Sequence, residues 1–391
     1  MNGPEISKIL NKYKSMDLKT EQYLTDYLNV KFETLNYLND LDTLPFSLYF
    51  FQGERLYELA RPGAVVQEEL DDLVAAKTQA DDFAAICVKK IDFDQYEALM
   101  DQIRRQKIDQ LVGQQERLDK DILGLFADLC QASQMLEFSL INTNVMQKIT
   151  SSTDHIAQKC RHTQRGLHTL CRMIKCDPNL YDHGAAVGLM CGMFANQTLG
   201  KNPQDTAKII RCGLFHDFGK NYISPSTLHK PGLLTSDEFK LVKTHTTSGA
   251  EELQKMLLFD NSLKLEAELI TVAKEHHEKF NGHGYPDGKA GRLEEKADGI
   301  HEYSRIVLIA DIFIALLMKQ EYREAYSPSR ALQIMEEDAE RDYDPQLWLR
   351  FKEFIENSVE EVEDSTPYVQ RSGRFSINEL IKKRQGVKNA S

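Results

Sequence analysis

A chain of 391 residues, 28% of them charged and 41% hydrophobic, is long enough for two or three domains and too apolar to be disordered throughout. Its 60 acidic and 48 basic side chains leave a net charge of −12, the wrong sign for a protein that coats nucleic acid or lies on an anionic membrane. An anionic ligand would need a local cluster of cations or a metal.

The longest apolar stretch, Ile306 to Met318, contains Asp311 and is too short for a membrane span. The opening MNGPEISKIL lacks a basic segment followed by an apolar one, so no secretory leader is expected. Seven scattered cysteines without C-x-x-C spacing read as free buried thiols in a reducing compartment, and the expected location is cytoplasmic.

Residues 1–105 read as a small α/β unit with a sensory or regulatory role. Pro45 to Phe51 is aromatic-rich and fits a strand; Gln52 to Glu54 is a turn, and a second strand lies near Leu56–Leu59. Val65 to Lys77 has helical periodicity, Phe83 to Val88 fits a buried strand, and Asp94 to Ile103 reads as helix. Residues 106–154 form a helical connector. Within it, Leu111, Leu118 and Leu125 repeat at seven, as do Ile122, Leu129 and Leu136, so one long helix is expected over Lys107–Ile149. Such a seam suits an ordinary amphipathic helix or a homodimer through residues 107–149. Ser151 to Asp154 should break it. From residue 155 to 358 the pattern is helix after helix, and 359–391 is a charged tail. The fold class is thus mainly α, with a small α/β unit in front.

The chemistry lies between 183 and 311. His183, the pair His216–Asp217, His245, the doublet His276–His277 and Asp311 put five imidazoles and two carboxylates on segments that otherwise look like core helices. Burying an unpaired carboxylate is costly, so Asp311 and Asp217 need a partner, and a cation would serve both. Imidazole with carboxylate and no thiolate suits iron, manganese, zinc or nickel. Seven ligands exceed what one ion takes, so at least two divalent metal ions are expected, iron or manganese first. Such a pair clamps a phosphoryl group and supplies a nucleophile at neutral pH.

These pieces form an ordered series: His183; HDFGK at 216–220; Lys230–Pro231–Gly232 with Leu234–Thr235; His245 with Gly249; HHEKFNGHGYP at 276–286; Arg305–Ile306 with Asp311; and Asp344–Pro345. The series resembles the HD-GYP domain, a bacterial branch of the HD phosphohydrolases, over 183–345. The resemblance implies an all-α bundle and metal-dependent hydrolysis of cyclic di-GMP to linear pGpG, with cyclic GMP-AMP used by some members. It also implies that His183, His216, Asp217 and Asp311 hold one metal, with Asp217 bridging to a second held by His245, His276 and His277. Asp217 and Lys220 are then the catalytic pair. Lys220, Tyr285, Arg305 and Arg323 are the substrate contacts. A cyclic dinucleotide and signalling proteins are the implied partners, without nucleic acid polymer or membrane.

The series also departs from the family. Asn281, Ile314 and Gln320 stand where the family has other residues, so a module that binds without turnover, or a hydrolase of another phosphorylated metabolite, is the alternative. Lys319 or Arg323 could replace a phosphate contact missing at Gln320. Some members place a Glu four residues before the first His to hold a third metal; here that residue is Asn179, so a dinuclear site is expected.

Overall fold

A computed structural model describes residues 10–30, 35–38, 41, 43–63, 84–114, 119–137, 141–160, 166–176, 182–228, 234–259, 263, 265–292, 299–318 and 325–359. The chain divides into two compact units, Met1–Gln110 and Leu111–Ser391. The described residues are mostly helical with one small sheet, as expected from the sequence.

The first unit carries β1 (Lys14–Asp17), α1 (Thr20–Asp26), β2 (Tyr27–Val30), β3 (Leu48–Gln52), β4 (Arg55–Ala60), β5 (Ala84–Lys89) and the start of α2 (Phe93–Gln114). The sheet is antiparallel throughout, in the order β1-β4-β3-β5-β2. Gly53 and Glu54 join β3 to β4 at positive φ, 56° and 55°. That is the handedness a two-residue turn needs to match the strand twist. Leu48 to Phe51 are buried on both faces, which is why β3 reads as a continuous apolar run. Tyr23, Tyr27, Tyr49, Phe51, Leu56 and Cys87 close the core. The helix expected over Val65–Lys77 lies outside the described residues.

The second unit is helical: α3 (Lys120–Glu137), α4 (Thr143–Lys159), α5 (Gly166–Cys176), α6 (His183–Gln197), α7 (Pro203–Phe215), α8 (Ser236–Lys243), α9 (His245–Phe259), α10 (Ala267–Glu275), α11 (Glu302–Leu317), α12 (Pro328–Asp342) and α13 (Pro345–Val359). At its centre α6 is buried continuously from Ala185 to Ala195. It meets α7 where a Cβ on Gly213 would lie 2.8 Å from the Gly188 Cα, so two glycines let the backbones close up. α11, buried over most of its length, packs beside both.

The single long helix expected over Lys107–Ile149 is not what forms. Asp119 Oδ1 accepts from the amides of Asp121 and Ile122 at the start of α3, and Asn142 Oδ1 accepts from Val145 N at the start of α4. Each side chain satisfies amides that a continuous helix would have used, so the chain restarts at both points. Nor do Ser151 to Asp154 break the helix. They lie inside α4, with the Thr153 hydroxyl donating to Ile149 O. Ile122, Leu125, Leu129 and Leu136 are buried within this chain, so that part of the seam packs among its own helices; the side chains of Leu111 and Leu118 lie outside the described ones. Six cysteines (87, 130, 160, 171, 191 and 212) are buried free thiols. Among the described residues no helix is long and apolar enough to cross a membrane.

Candidate metal centre

Five segments bring the seven residues together. His183 opens α6, capped by Asp182, whose carboxylate accepts from Ala185 N. His216 and Asp217 follow the last turn of α7, and a 3-10 turn over Phe218–Tyr222 carries Lys220. His245 opens α9, His276 and His277 follow α10, and Asp311 sits midway along α11. Gly219 makes the approach of two segments feasible: a Cβ there would stand 1.9 Å from His245 O and 2.6 Å from Gly249 N. Only glycine fits between that turn and α9, which accounts for Gly219 and Gly249 in the motif series.

Ring orientation is set by the backbone. His216 Nδ1 donates to Gly213 O at 2.7 Å, His245 Nδ1 to Val242 O at 2.7 Å, and His276 Nδ1 is shared between Ala273 O and Val272 O at 3.0 and 3.1 Å. A proton on Nδ1 leaves Nε2 as a lone pair. Those lone pairs converge: His245 Nε2 and His276 Nε2 are 3.2 Å apart. Asp217 lies between two sets. Its Oδ1 is 3.3 Å from His245 Nε2 and 3.8 Å from His276 Nε2. Its Oδ2 is 3.2 Å from His216 Nε2 and 3.9 Å from His183 Nε2. Asp311 Oδ1 lies 2.8 Å from His183 Nε2 and 3.8 Å from His216 Nε2. Ligand atoms cluster as Asp217, His245, His276 and His277, and as His183, His216 and Asp217.

Two buried atoms, Asp217 Oδ1 and His216 Nε2, make no hydrogen bond. Leaving such atoms unpaired inside a protein is costly, and lone pairs facing lone pairs at about 3 Å repel. A divalent cation in each cluster removes both costs, so the residues present fit metal.

Residues 168–347 match the HD domain family. That stretch, a little under half of the chain, is similar to HD domains. The chain is 32% identical over 204 residues to the cyclic di-GMP phosphodiesterase response regulator RpfG of Xanthomonas campestris, covering 51% of this chain and 49% of that protein. It is 34% identical over 178 residues to the 3'3'-cGAMP-specific phosphodiesterase 3 of Vibrio cholerae, covering 46% and 36%. The chain thus spans half or less of the length of these curated relatives. Among solved structures it shares a fold with Bd1817, an HDG"Y"P protein from Bdellovibrio bacteriovorus, at a TM-score of 0.51 and 16% identity over 85% of this chain and 100% of that one.

Electrostatics at this centre follow from burial and from the two carboxylates. Burial pushes His245 down to about 4 and His277 down to about 3, and holds His276 well below the usual imidazole range. These three rings are neutral at pH 7, the form that binds metal. Burial would lower His216 too, but Asp217 and Asp311 outweigh it and raise it. Burial would raise both carboxyls. His216 and Lys220 hold Asp217 well below the carboxylate range, and the His183 hydrogen bond does the same for Asp311.

The expected substrate contacts divide. Lys220 Nζ pairs with Asp217 Oδ2 at the centre. Tyr285 lies against His277, with ring centroids 4.7 Å apart and the planes tilted by 32°. Arg305 is buried in an ion pair with Asp344, whose other oxygen caps α13 through Gln346 N and Leu347 N. Arg323, Lys319, Gln320 and Asn179 lie outside the described residues. Asn281 folds the loop, accepting from His283 N and donating to Asp342. Ile314 is fully buried in the core.

Two carboxylates escaped notice. Glu278 accepts from Asp287 N at 2.7 Å and Lys289 N at 2.9 Å, and Glu275 accepts from His301 N at 2.9 Å and Lys289 Nζ at 2.6 Å. Together they fasten the loop that presents Tyr285. Their position on either side of the His doublet was the available signal.

Proposed function

We propose that this chain is a metal-dependent phosphodiesterase that opens a cyclic dinucleotide, cyclic di-GMP in the first instance, to its linear form. The observation that carries the reading is the convergence of imidazole lone pairs on the two oxygens of Asp217. The substrate class is supported by the relatives, which include enzymes for cyclic di-GMP and for 3'3'-cGAMP.

His183, His216, Asp311 and Asp217 would hold one divalent ion, and His245, His276, His277 and Asp217 a second. Iron or manganese suits this donor set best, ahead of zinc or nickel. We set the count at two because position 179 offers a neutral amide where a third ion would need a carboxylate. When bound, such a pair polarises a phosphoryl oxygen and brings the ionisation of water into the neutral range.

The chain supplies the rest. Carbonyl hydrogen bonds hold the rings in register, so little order is lost on binding. Burial keeps three imidazoles unprotonated at the working pH. Lys220 brings an ammonium to the same carboxylate and is placed to meet a non-bridging phosphate oxygen. Tyr285 covers His277 and limits water on that side. We assign residues 1–105 a regulatory role.

The test is turnover by protein loaded with Fe²⁺ or Mn²⁺ under anaerobic conditions, on cyclic di-GMP and 3'3'-cGAMP. Linear dinucleotide should accumulate. Fully loaded protein that binds both and cleaves neither is a binding module instead.

A further inference from the structure

Beside the metal centre one cation is held without an acid. Lys243 ends α8, two residues before His245, and is half-buried. Its Nζ lies 4.7 Å from the centroid of the Phe239 ring and 4.9 Å from that of Tyr285. Tyr285 in turn lies against His277, their ring centroids 4.7 Å apart. Among the described residues no carboxylate pairs with Lys243. Its neighbours differ: Lys240 is 2.9 Å from Asp237, Lys289 is 2.6 Å from Glu275, and Lys220 pairs with Asp217. Aromatic faces attract an ammonium without neutralising it. Lys243 therefore sits over two aromatic rings with no carboxylate paired to it among the described residues, one ring away from His277.

We propose that Lys243 and Tyr285 form a second phosphate subsite, which takes the phosphodiester of a cyclic dinucleotide that is not being cleaved. The inference rests on the phosphodiesterase reading and sharpens it. A cyclic dinucleotide carries two phosphodiesters on one ring, and only one can lie at the metal centre. The other must be held against a protein of net charge −12. A cation at the rim does this, and it distinguishes a ring with two phosphates from a diester with one. A purely structural Lys243 would instead fasten α8 to the loop and complement the C-terminal end of that helix, with no preference between such substrates.

The experiment compares cyclic di-GMP with bis(p-nitrophenyl) phosphate, a diester with a single phosphate, in metal-loaded wild type, Lys243→Gln and Lys243→Arg. The ratio of kcat/KM for the cyclic substrate to that for the small diester should fall about 10-fold in Lys243→Gln, the loss of roughly one charge-assisted hydrogen bond. The fall should come mainly through KM, and Lys243→Arg should recover most of it. An unchanged ratio, whether both activities hold or fall in parallel, overturns the subsite. Calorimetric binding of cyclic di-GMP separates the two readings. Binding without cleavage, weakened about 10-fold in Lys243→Gln, keeps the subsite and overturns the phosphodiesterase; equal binding by both proteins overturns the subsite.

Discussion

Among the described residues Asp217 is the carboxylate that faces both groups of imidazoles, Oδ1 toward His245 and His276 and Oδ2 toward His183 and His216. An amide keeps the shape but has no charge and one acceptor fewer. Asp217→Asn should therefore reduce bound metal from two ions per chain to one or none, read by elemental analysis, with helical content unchanged. Retention of both ions would overturn the bridge. Gly219 acts on the same site through space alone. An alanine Cβ would meet backbone atoms of His245 and Gly249 on the neighbouring helix, not the far end of a flexible side chain. Gly219→Ala should cost about 3 kcal/mol or more, at the upper end for overpacking, and should weaken metal uptake by moving His245. A variant that denatures like wild type would show that the turn and α9 separate freely.

Among the elements, what was legible depended on burial pattern. β3, β4 and β5 were visible because short apolar or alternating runs end at turn residues. β1 is exposed along its length, so no pattern announced it. The break before α3 was hidden because heptad spacing continues across it, and Asp119 and Asn142, the caps, are single polar residues in a helical background. At the site, His and Asp on apolar segments are conspicuous because burying them needs a reason. Arg305, read as a substrate contact, lies in a buried ion pair with Asp344, and the two settings look alike without coordinates. The seam makes a further prediction. Leu129 is fully buried in α3, so Leu129→Ala should cost about 2–5 kcal/mol in chemical denaturation. Sedimentation should give the same mass as wild type. A change in mass with stability intact would return the seam to a second subunit.

For the molecule as a whole, the buried imidazoles decide how the metal-free protein responds to acid. In the unfolded chain they titrate near 6.5. Folded, His245 lies at about 4, His277 at about 3 and His276 well below its ordinary value, each because burial disfavours the charged ring. Below pH ~6.5 the unfolded chain takes up protons that the folded one refuses, so stability falls with pH until the folded rings themselves protonate. Asp217 and Asp311 act in the same direction at lower pH, since both are held below the carboxylate range and their contribution is lost below about 4. His216 acts oppositely: its raised value favours the folded state in acid, an effect lost as pH rises. Three lowered rings outweigh one raised ring. The melting temperature of metal-free protein should therefore fall steadily from pH 7 to pH 4.5. His245→Gln, which removes one of the three, should flatten that slope. Because the same rings are already neutral at pH 7, metal uptake there should release few protons from them, as calorimetry in buffers of different ionisation enthalpy would show. A melting temperature that holds level or rises between pH 7 and pH 5 would mean that these imidazoles are charged in the folded protein.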